Sequence, residues 1–198
     1  MNSDMSGKSP LRRELLAARR LLSEEDVQNA SAVLARRALE LPELAAAGTV
    51  AAYVSVGREP GTRPLLDALR ERGVRVLLPV LLADNDLNWA AYDGAERLVR
   101  AGRGLLEPDG ARLGVRAVLQ ARVVLLPGLA VDGRGMRLGR GGGSYDRVLA
   151  RLEEAGAGAV LAVLLYDHEV VERVPAEPHD RPVRAVVTPG GTRHFASG

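Results

Sequence analysis

Two stretches of this chain, ARVVLLPGLAV (121–131) after its Arg122 and AVLAVLL (159–165), are continuously apolar, with no polar residue at alternate positions. A strand with that composition is buried on both faces, which happens when helical crossovers cover both sides of a parallel sheet. The rest of the chain supplies the crossovers. SPLRRELLAARRLL (9–22) repeats apolar residues at helical spacing through Leu11, Leu15, Ala18 and Leu22, with Ser9 as cap and Pro10 in its first turn. A second helix begins at Ser23, with Glu24, Glu25 and Asp26 answering its dipole and a stripe through Val27, Ala30, Leu34, Ala38 and Leu41. TVAAYVSV (49–56) reads as a strand, GTRPLLDALRERG (61–73) as a helix, and VRVLLPV (74–80) as a strand that Pro79 ends. LNWAAYD (87–93) is a further strand, GLLEPDG (104–110) a turn, SYDRVLARLEEAG (144–156) a helix and RAVVTP (184–189) the last strand. This alternation predicts one α/β domain over 8–198, a mainly parallel sheet flanked by helices, after a flexible N-terminus at 1–7. Such sheets bind ligands at the carboxyl ends of their strands. Glu59, a glycine-rich loop and the segment 167–180 all follow strand ends.

Composition removes several chemistries. There is no cysteine, so disulfides, thiolate metal sites and a cysteine nucleophile are excluded. No apolar run reaches the ~18 residues of a membrane span, and no signal-like segment opens the chain, which predicts a cytoplasmic protein without membrane contact. A net charge of +2 and few aromatics argue against a dedicated nucleic-acid binder. Lys8 is the only lysine among 27 basic residues, a sign that a compact ammonium is wanted there. His168, His179 and His194 lack the spacing of a zinc site.

The loop RLGRGGGSYDR (137–147) holds four glycines, three arginines and an aspartate. It runs into a helix start, where unpaired N–H groups and the dipole attract anions. Arg137 and Arg140 add positive charge, and Ser144 is placed to cap the helix. The segment lacks the Gly-Lys-Ser/Thr of a P-loop and the early position of a dinucleotide fingerprint. Asp146, in the first helical turn, either answers the dipole or holds Mg²⁺ beside a phosphate.

Taken together, PGLAVDGRGMRLGRGGGSYDR (127–147), KSPLR (8–12), YVSVGREPGT (53–62), LLEP (105–108) and PAEPHDRPV (175–183) resemble the 5-formyltetrahydrofolate cyclo-ligase family, also called methenyltetrahydrofolate synthetase. The resemblance implies an α/β sandwich related to the sugar-phosphate isomerase and CoA-transferase group. It also implies ATP- and Mg²⁺-dependent closure of 5-formyltetrahydrofolate to 5,10-methenyltetrahydrofolate. By the same resemblance Lys8, Ser9, Pro10, Leu11 and Arg12, with Arg137, Leu138, Gly139, Arg140, Gly141, Gly142, Gly143, Ser144 and Tyr145, contact ATP. Arg140 and Lys8 are the expected catalytic cations. Val54, Glu59 and the loop from Arg140 to Ser144 border the folate, Glu59 meeting either the amino-pyrimidinone edge of the pterin or the attacking amine. Asp146 and Asp180 match the Mg²⁺ positions. The chain departs from the family at Ser144, where a tyrosine is usual. Trp89 and Tyr92 are either core or a face for the pterin. The expected partner is a reduced folate, polyglutamylated or not, and the expected state a monomer. The competing readings are another phosphate-handling enzyme of the same fold group, such as a sugar-phosphate isomerase, or a nonenzymatic folate binder.

Overall fold

The computed structural model describes residues 7–196. The tail expected at 1–7 therefore lies outside the described residues except for Gly7, which caps the first helix. Helices α1 (Lys8–Arg20), α2 (Glu24–Leu39) and the short α3 (Pro42–Ala45) precede strand β1 (Thr49–Ala51). Next come α4 (Arg63–Glu71), β2 (Arg75–Leu81), β3 (Leu87–Ala91), β4 (Leu98–Arg100), β5 (Leu106–Pro108), β6 (Val123–Leu126), β7 (Ala130–Val131) and β8 (Arg137–Leu138). Helix α5 (Ser144–Glu154) leads to β9 (Val160–Leu164), β10 (Ala185–Thr188) and β11 (Gly191–His194).

Seven strands form one sheet in the order β11-β10-β9-β6-β1-β2-β3. The five inner strands run parallel, and both edge strands are antiparallel to their neighbours. The apolar runs read in the sequence explain this directly. Val50, Val76, Leu78, Val123, Leu125, Ala162, Leu164 and Val187 face one cluster, where Leu34 of α2 and Leu65, Leu66 and Leu69 of α4 pack. Their immediate neighbours Ala51, Leu77, Val124, Leu126, Val163 and Val186 face the other, against Val148, Leu149 and Leu152 of α5. Side chains alternate along each strand, yet both faces are buried, so polar residues have no place in these runs. Each fully buried leucine contributes roughly 1.5–3 kcal/mol, against about 0–1 kcal/mol for an exposed ion pair. The two-faced core, not the charged surface, therefore holds the sheet together.

Local chemistry sets the element boundaries, and several differ from expectation. Helix α1 starts at Lys8, so Ser9 lies inside the first turn and Gly7 is the cap. Helix α2 begins as read, with Ser23 and Asp26 exchanging capping bonds. Strand β1 stops at Ala51, well short of residue 56, because Thr62 captures the backbone beyond it. Its hydroxyl donates to Tyr53 O (2.7 Å) and accepts from the Ser55 N–H (3.0 Å). Strand β2 runs through Pro79 to Leu81 instead of ending at the proline. Pairing with β1 ends at Leu77, so the missing Pro79 N–H falls where no neighbour needs a donor. The run 121–131 divides at Pro127 and Gly128: β6 stays in the sheet, while β7 pairs with β8 in a separate hairpin. The turn expected at 104–110 contains β5, paired with β4, and β10 is followed by a further strand, β11. Among the described residues no helix is long and apolar enough to cross a membrane.

Candidate active site

The carboxyl ends of β1, β2 and β6 open into a cavity of about 670 Å³. Tyr53, Val54 and Glu59 reach it from the segment after β1, and Pro79 and Leu81 from β2. The glycine loop, the first turn of α5, Lys8 and Arg12 of α1, and Asp180 complete the walls. The parallel topology places the segments after β1, β2 and β6 together, since each follows a strand end on the same edge of the sheet, and α1 lies alongside them.

The loop presents its backbone at a helix start. Gly141 and Gly143 have φ of +92° and +78°, values that only glycine takes without cost. A Cβ at Gly141 would also stand 3.3 Å from Arg12 Cζ. Gly143 is the cap of α5 and makes no side-chain capping bond, which corrects the expectation that Ser144 does so; Ser144 is the first helical residue. The leading N–H groups of α5 thus receive no side-chain acceptor at the cap, and an anion fits there. Arg12 fastens the loop from the opposite side through Nε to Gly139 O (2.8 Å). Arg140, half exposed, pairs with Glu59 at 3.1 Å. Glu59 is nearly buried, and its other oxygen accepts the Val56 N–H (2.7 Å), so both oxygens already hold a donor.

Two donors in the wall have no acceptor. Arg137 is buried, with one Nη on Pro127 O (2.9 Å) and the other 4.0 Å from Asp146 Oδ1, while its Nε lacks a partner. Burial presses this guanidinium below its ordinary value; Asp146 opposes the shift without cancelling it. The Tyr145 hydroxyl is likewise buried without a partner, and burial, reinforced by Glu59, pushes its pKa up. Buried polar atoms are nearly always satisfied. Two orphans lining one cavity are what a missing oxygen-rich ligand leaves behind.

Lys8 Nζ lies 2.7 Å from both Glu177 Oε2 and Asp180 Oδ2. Burial alone would lower the lysine, but its bonds to Asp180 and Glu177 outweigh that and raise it. Burial would raise Asp180, and Lys8 with the Glu177 N–H brings it below its ordinary value instead. The ammonium stands in for a cation between two carboxylates, so this part of the wall fits a divalent ion. Asp146 and Asp180 both line the cavity. Among the described residues, the one group of three possible ligand atoms within 4.8 Å of one another belongs to Glu177, His179 and Asp180, with Asp146 outside it. His179, to which the spacing of the three histidines assigns no metal, is the sequence neighbour of Asp180, with Nε2 3.7 Å from Oδ1.

Other expected residues stand elsewhere. Ser9, Pro10 and Leu11 do not line the cavity, and Leu11 packs on a small cluster with Leu15, Leu129 and Leu138. Leu138 is fully buried there. Trp89 is core, and Tyr92 is buried with its hydroxyl on Asp67 (2.6 Å); neither reaches the cavity. Glu107, which the sequence reading does not single out, also lines the cavity and is nearly buried; the lone acid between Leu106 and Pro108 is the only mark of it in the sequence.

A family model described as the 5-formyltetrahydrofolate cyclo-ligase family matches residues 4–189. The chain is 43% identical over 189 residues to a 5-formyltetrahydrofolate cyclo-ligase of Mycolicibacterium smegmatis, covering 92% of this chain and 93% of that protein. It is 36% identical over 176 residues to one from Escherichia coli K12, covering 86% and 94%. Among solved structures, the NMR structure of a 5,10-methenyltetrahydrofolate synthetase from Aquifex aeolicus superposes with a TM-score of 0.80 at 29% identity, covering 96% of this chain and 94% of the other. A synthetase from Mycoplasma pneumoniae, at 18% identity and a TM-score of 0.70, shares the fold.

Proposed function

The chain belongs to the 5-formyltetrahydrofolate cyclo-ligase family, and from that premise we propose how its cavity performs the ATP-dependent closure of 5-formyltetrahydrofolate to 5,10-methenyltetrahydrofolate. The formyl group is a poor electrophile and its oxygen a poor leaving group. Transfer of the γ-phosphoryl group to that oxygen corrects both: the oxygen–phosphorus bond forms as the β–γ bridge breaks, releasing ADP. The neighbouring folate amine then attacks the formyl carbon and loses its proton, and the carbon–oxygen bond breaks to release phosphate. The protein's share is positioning and charge stabilisation.

The observation that carries this reading is the convergence of Lys8, Arg12, Arg137 and Arg140 on the glycine loop at the start of α5, with Arg137 Nε and the Tyr145 hydroxyl lacking acceptors. The N–H groups of Gly141 to Ser144, with Lys8, Arg12 and Arg137, receive the phosphates. Arg140 offsets charge on the transferring group. Glu59 holds Arg140 and orders the attacking amine, and Val54 borders the folate beside it. Asp146 and Asp180 would hold Mg²⁺, which would neutralise phosphate charge. Ser144 replaces a ring with a hydroxyl at the folate side of the loop. The same proposal includes one catalytic domain over 8–198, supported by a cavity wall drawn from α1, the sheet and the sheet's connections together. It also includes a monomer working in the cytoplasm on reduced folates, polyglutamylated or not.

The test mixes purified protein, 5-formyltetrahydrofolate and Mg-ATP and follows the near-ultraviolet absorbance of the methenyl product, with ATP omitted as control. Product should form only with ATP. Arg140→Ala should lower turnover by about 10²-fold or more with an unchanged melting temperature. Product without ATP would overturn the reading; normal turnover in the variant would remove Arg140 from its role.

A further inference from the structure

Four carboxylates in the described chain are nearly or fully buried: Glu59, Glu107, Asp132 and Glu169. Three have an arginine partner. Glu59 pairs with Arg140 at 3.1 Å, Asp132 with Arg134 at 2.6 Å and Glu169 with Arg19 at 2.6 Å. Glu107 alone has none: among the described residues no lysine, arginine or histidine reaches it, and its one bond is accepted by Oε1 from the Leu81 N–H (2.9 Å). It is 9% exposed and lines the cavity among Pro79, Leu81, Leu87, Leu105 and Leu106. A carboxylate taken out of water without a counter-charge is costly, and a fold keeps one where a ligand supplies the donors.

We propose that Glu107 recognises the amino-pyrimidinone edge of the folate's pterin, an assignment that rests on the cyclo-ligase reading above. The surrounding wall selects the ligand class. Proline and leucine side chains offer apolar contact to both faces of a flat ring, and the carboxylate accepts adjacent N–H donors at its edge. The pterin carries such a pair in its ring N–H and exocyclic amino group. The wall made by β2 and β5 bears none of the four cations that face the glycine loop; Arg103, which also lines the cavity beside Leu105, donates to Asn85 Oδ1 (3.0 Å). Glu59 is less suited to the same task, since each of its oxygens already holds one donor, which leaves room for a single amine N–H rather than a second paired set, and Arg140 couples it to the phosphoryl group. The two carboxylates therefore divide the folate: Glu59 at the reacting amine, Glu107 at the far edge of the ring.

A purely structural role for Glu107, accepting from Leu81, predicts different behaviour. Glu107→Gln keeps an oxygen for the Leu81 N–H and loses only the charge and acceptor facing the ring. Calorimetric titration without ATP should show 5-formyltetrahydrofolate bound about 10- to 100-fold more weakly by Glu107→Gln, the effect of a charge-assisted hydrogen bond. The 2-desamino analogue, which keeps only the ring N–H of that pair, should lose clearly less than 5-formyltetrahydrofolate on the same substitution. The KM for folate should rise with kcat and the KM for ATP nearly constant. Unweakened folate binding, or equal loss for both ligands, would overturn the assignment while leaving the cyclo-ligase reading intact. An unmodified protein that binds neither folate would overturn both. Should Glu107→Gln not fold, Glu107→Asp, which keeps the charge and shortens its reach, is read by the same comparison.

Discussion

At the scale of single residues, the organising fact is that several charges lining the cavity are already paired with other protein groups. Lys8 holds Asp180 and Glu177, and Arg140 holds Glu59. On the proposed function, ligand binding would exchange partners, phosphate for carboxylate on Lys8 and a divalent ion for ammonium on Asp180. Lys8→Ala should weaken Mg-ATP more than folate in direct titrations; equal weakening would show that Lys8 does not face the nucleotide. The same pair has a signed pH dependence. Asp180 is lowered in the folded chain, so its contribution exists above the ordinary value of 3.8 and disappears as pH falls through the folded one. Lys8 is raised, so its contribution exists below 10.5 and disappears as pH rises through its folded value. The melting-temperature difference between the unmodified protein and Lys8→Met should stay level from about pH 5 to 9 and shrink below about pH 4. A difference that persisted at pH 3 would count against the ion pair as its source.

At the scale of elements, the glycine loop and α5 form one unit. The loop was legible because glycines followed by Ser-Tyr-Asp and an apolar stripe mark a helix start. Its cap was not legible, because serine and glycine both suit that position and only the left-handed backbone at Gly143 decides between them. A Cβ at Gly143 meets nothing within 4 Å, so Gly143→Ala tests conformation without steric clash. Forcing alanine to the left-handed region costs about 1–2 kcal/mol, enough to tilt the loop toward another conformation. Gly143→Ala should thus lower the melting temperature by a few degrees and weaken Mg-ATP about tenfold. Unchanged nucleotide affinity would mean that the loop conformation seen here is not the binding one. Strand β2 shows the opposite limit: Pro79 reads as a terminator, and only the early end of β1 makes it harmless.

At the scale of the whole molecule, a buried ion pair anchors α1 to the sheet. Arg19 is 2% exposed and bonds both oxygens of Glu169 (2.6 and 3.0 Å) and Gly128 O (2.7 Å). It joins the helix that carries Lys8 and Arg12 to the segments following β6 and β9. Removing one partner would strand a buried charge, so Glu169→Ala should cost about 3–5 kcal/mol in urea unfolding. Mg-ATP binding should weaken with it, because the helix that presents Lys8 and Arg12 loses its anchor. A loss below about 1 kcal/mol would show that water reaches Arg19 when the acid is gone. Nothing in the local sequence marks this arginine. It sits in a row of basic residues, and its partner is 150 residues away.

The sequence by itself determined the layered α/β architecture, because runs apolar at every position can be satisfied only by a sheet covered on both faces. It also determined the anion-seeking loop, because bare backbone, arginines and a helix start are local properties. Tertiary structure alone decided which acid meets which base: Lys8 with Asp180, Arg140 with Glu59, and Glu107 with no cation among the described residues. Local patterns follow from the covalent order of neighbours, whereas pairing across the cavity depends on where strand ends bring distant segments, which no spacing along the chain encodes.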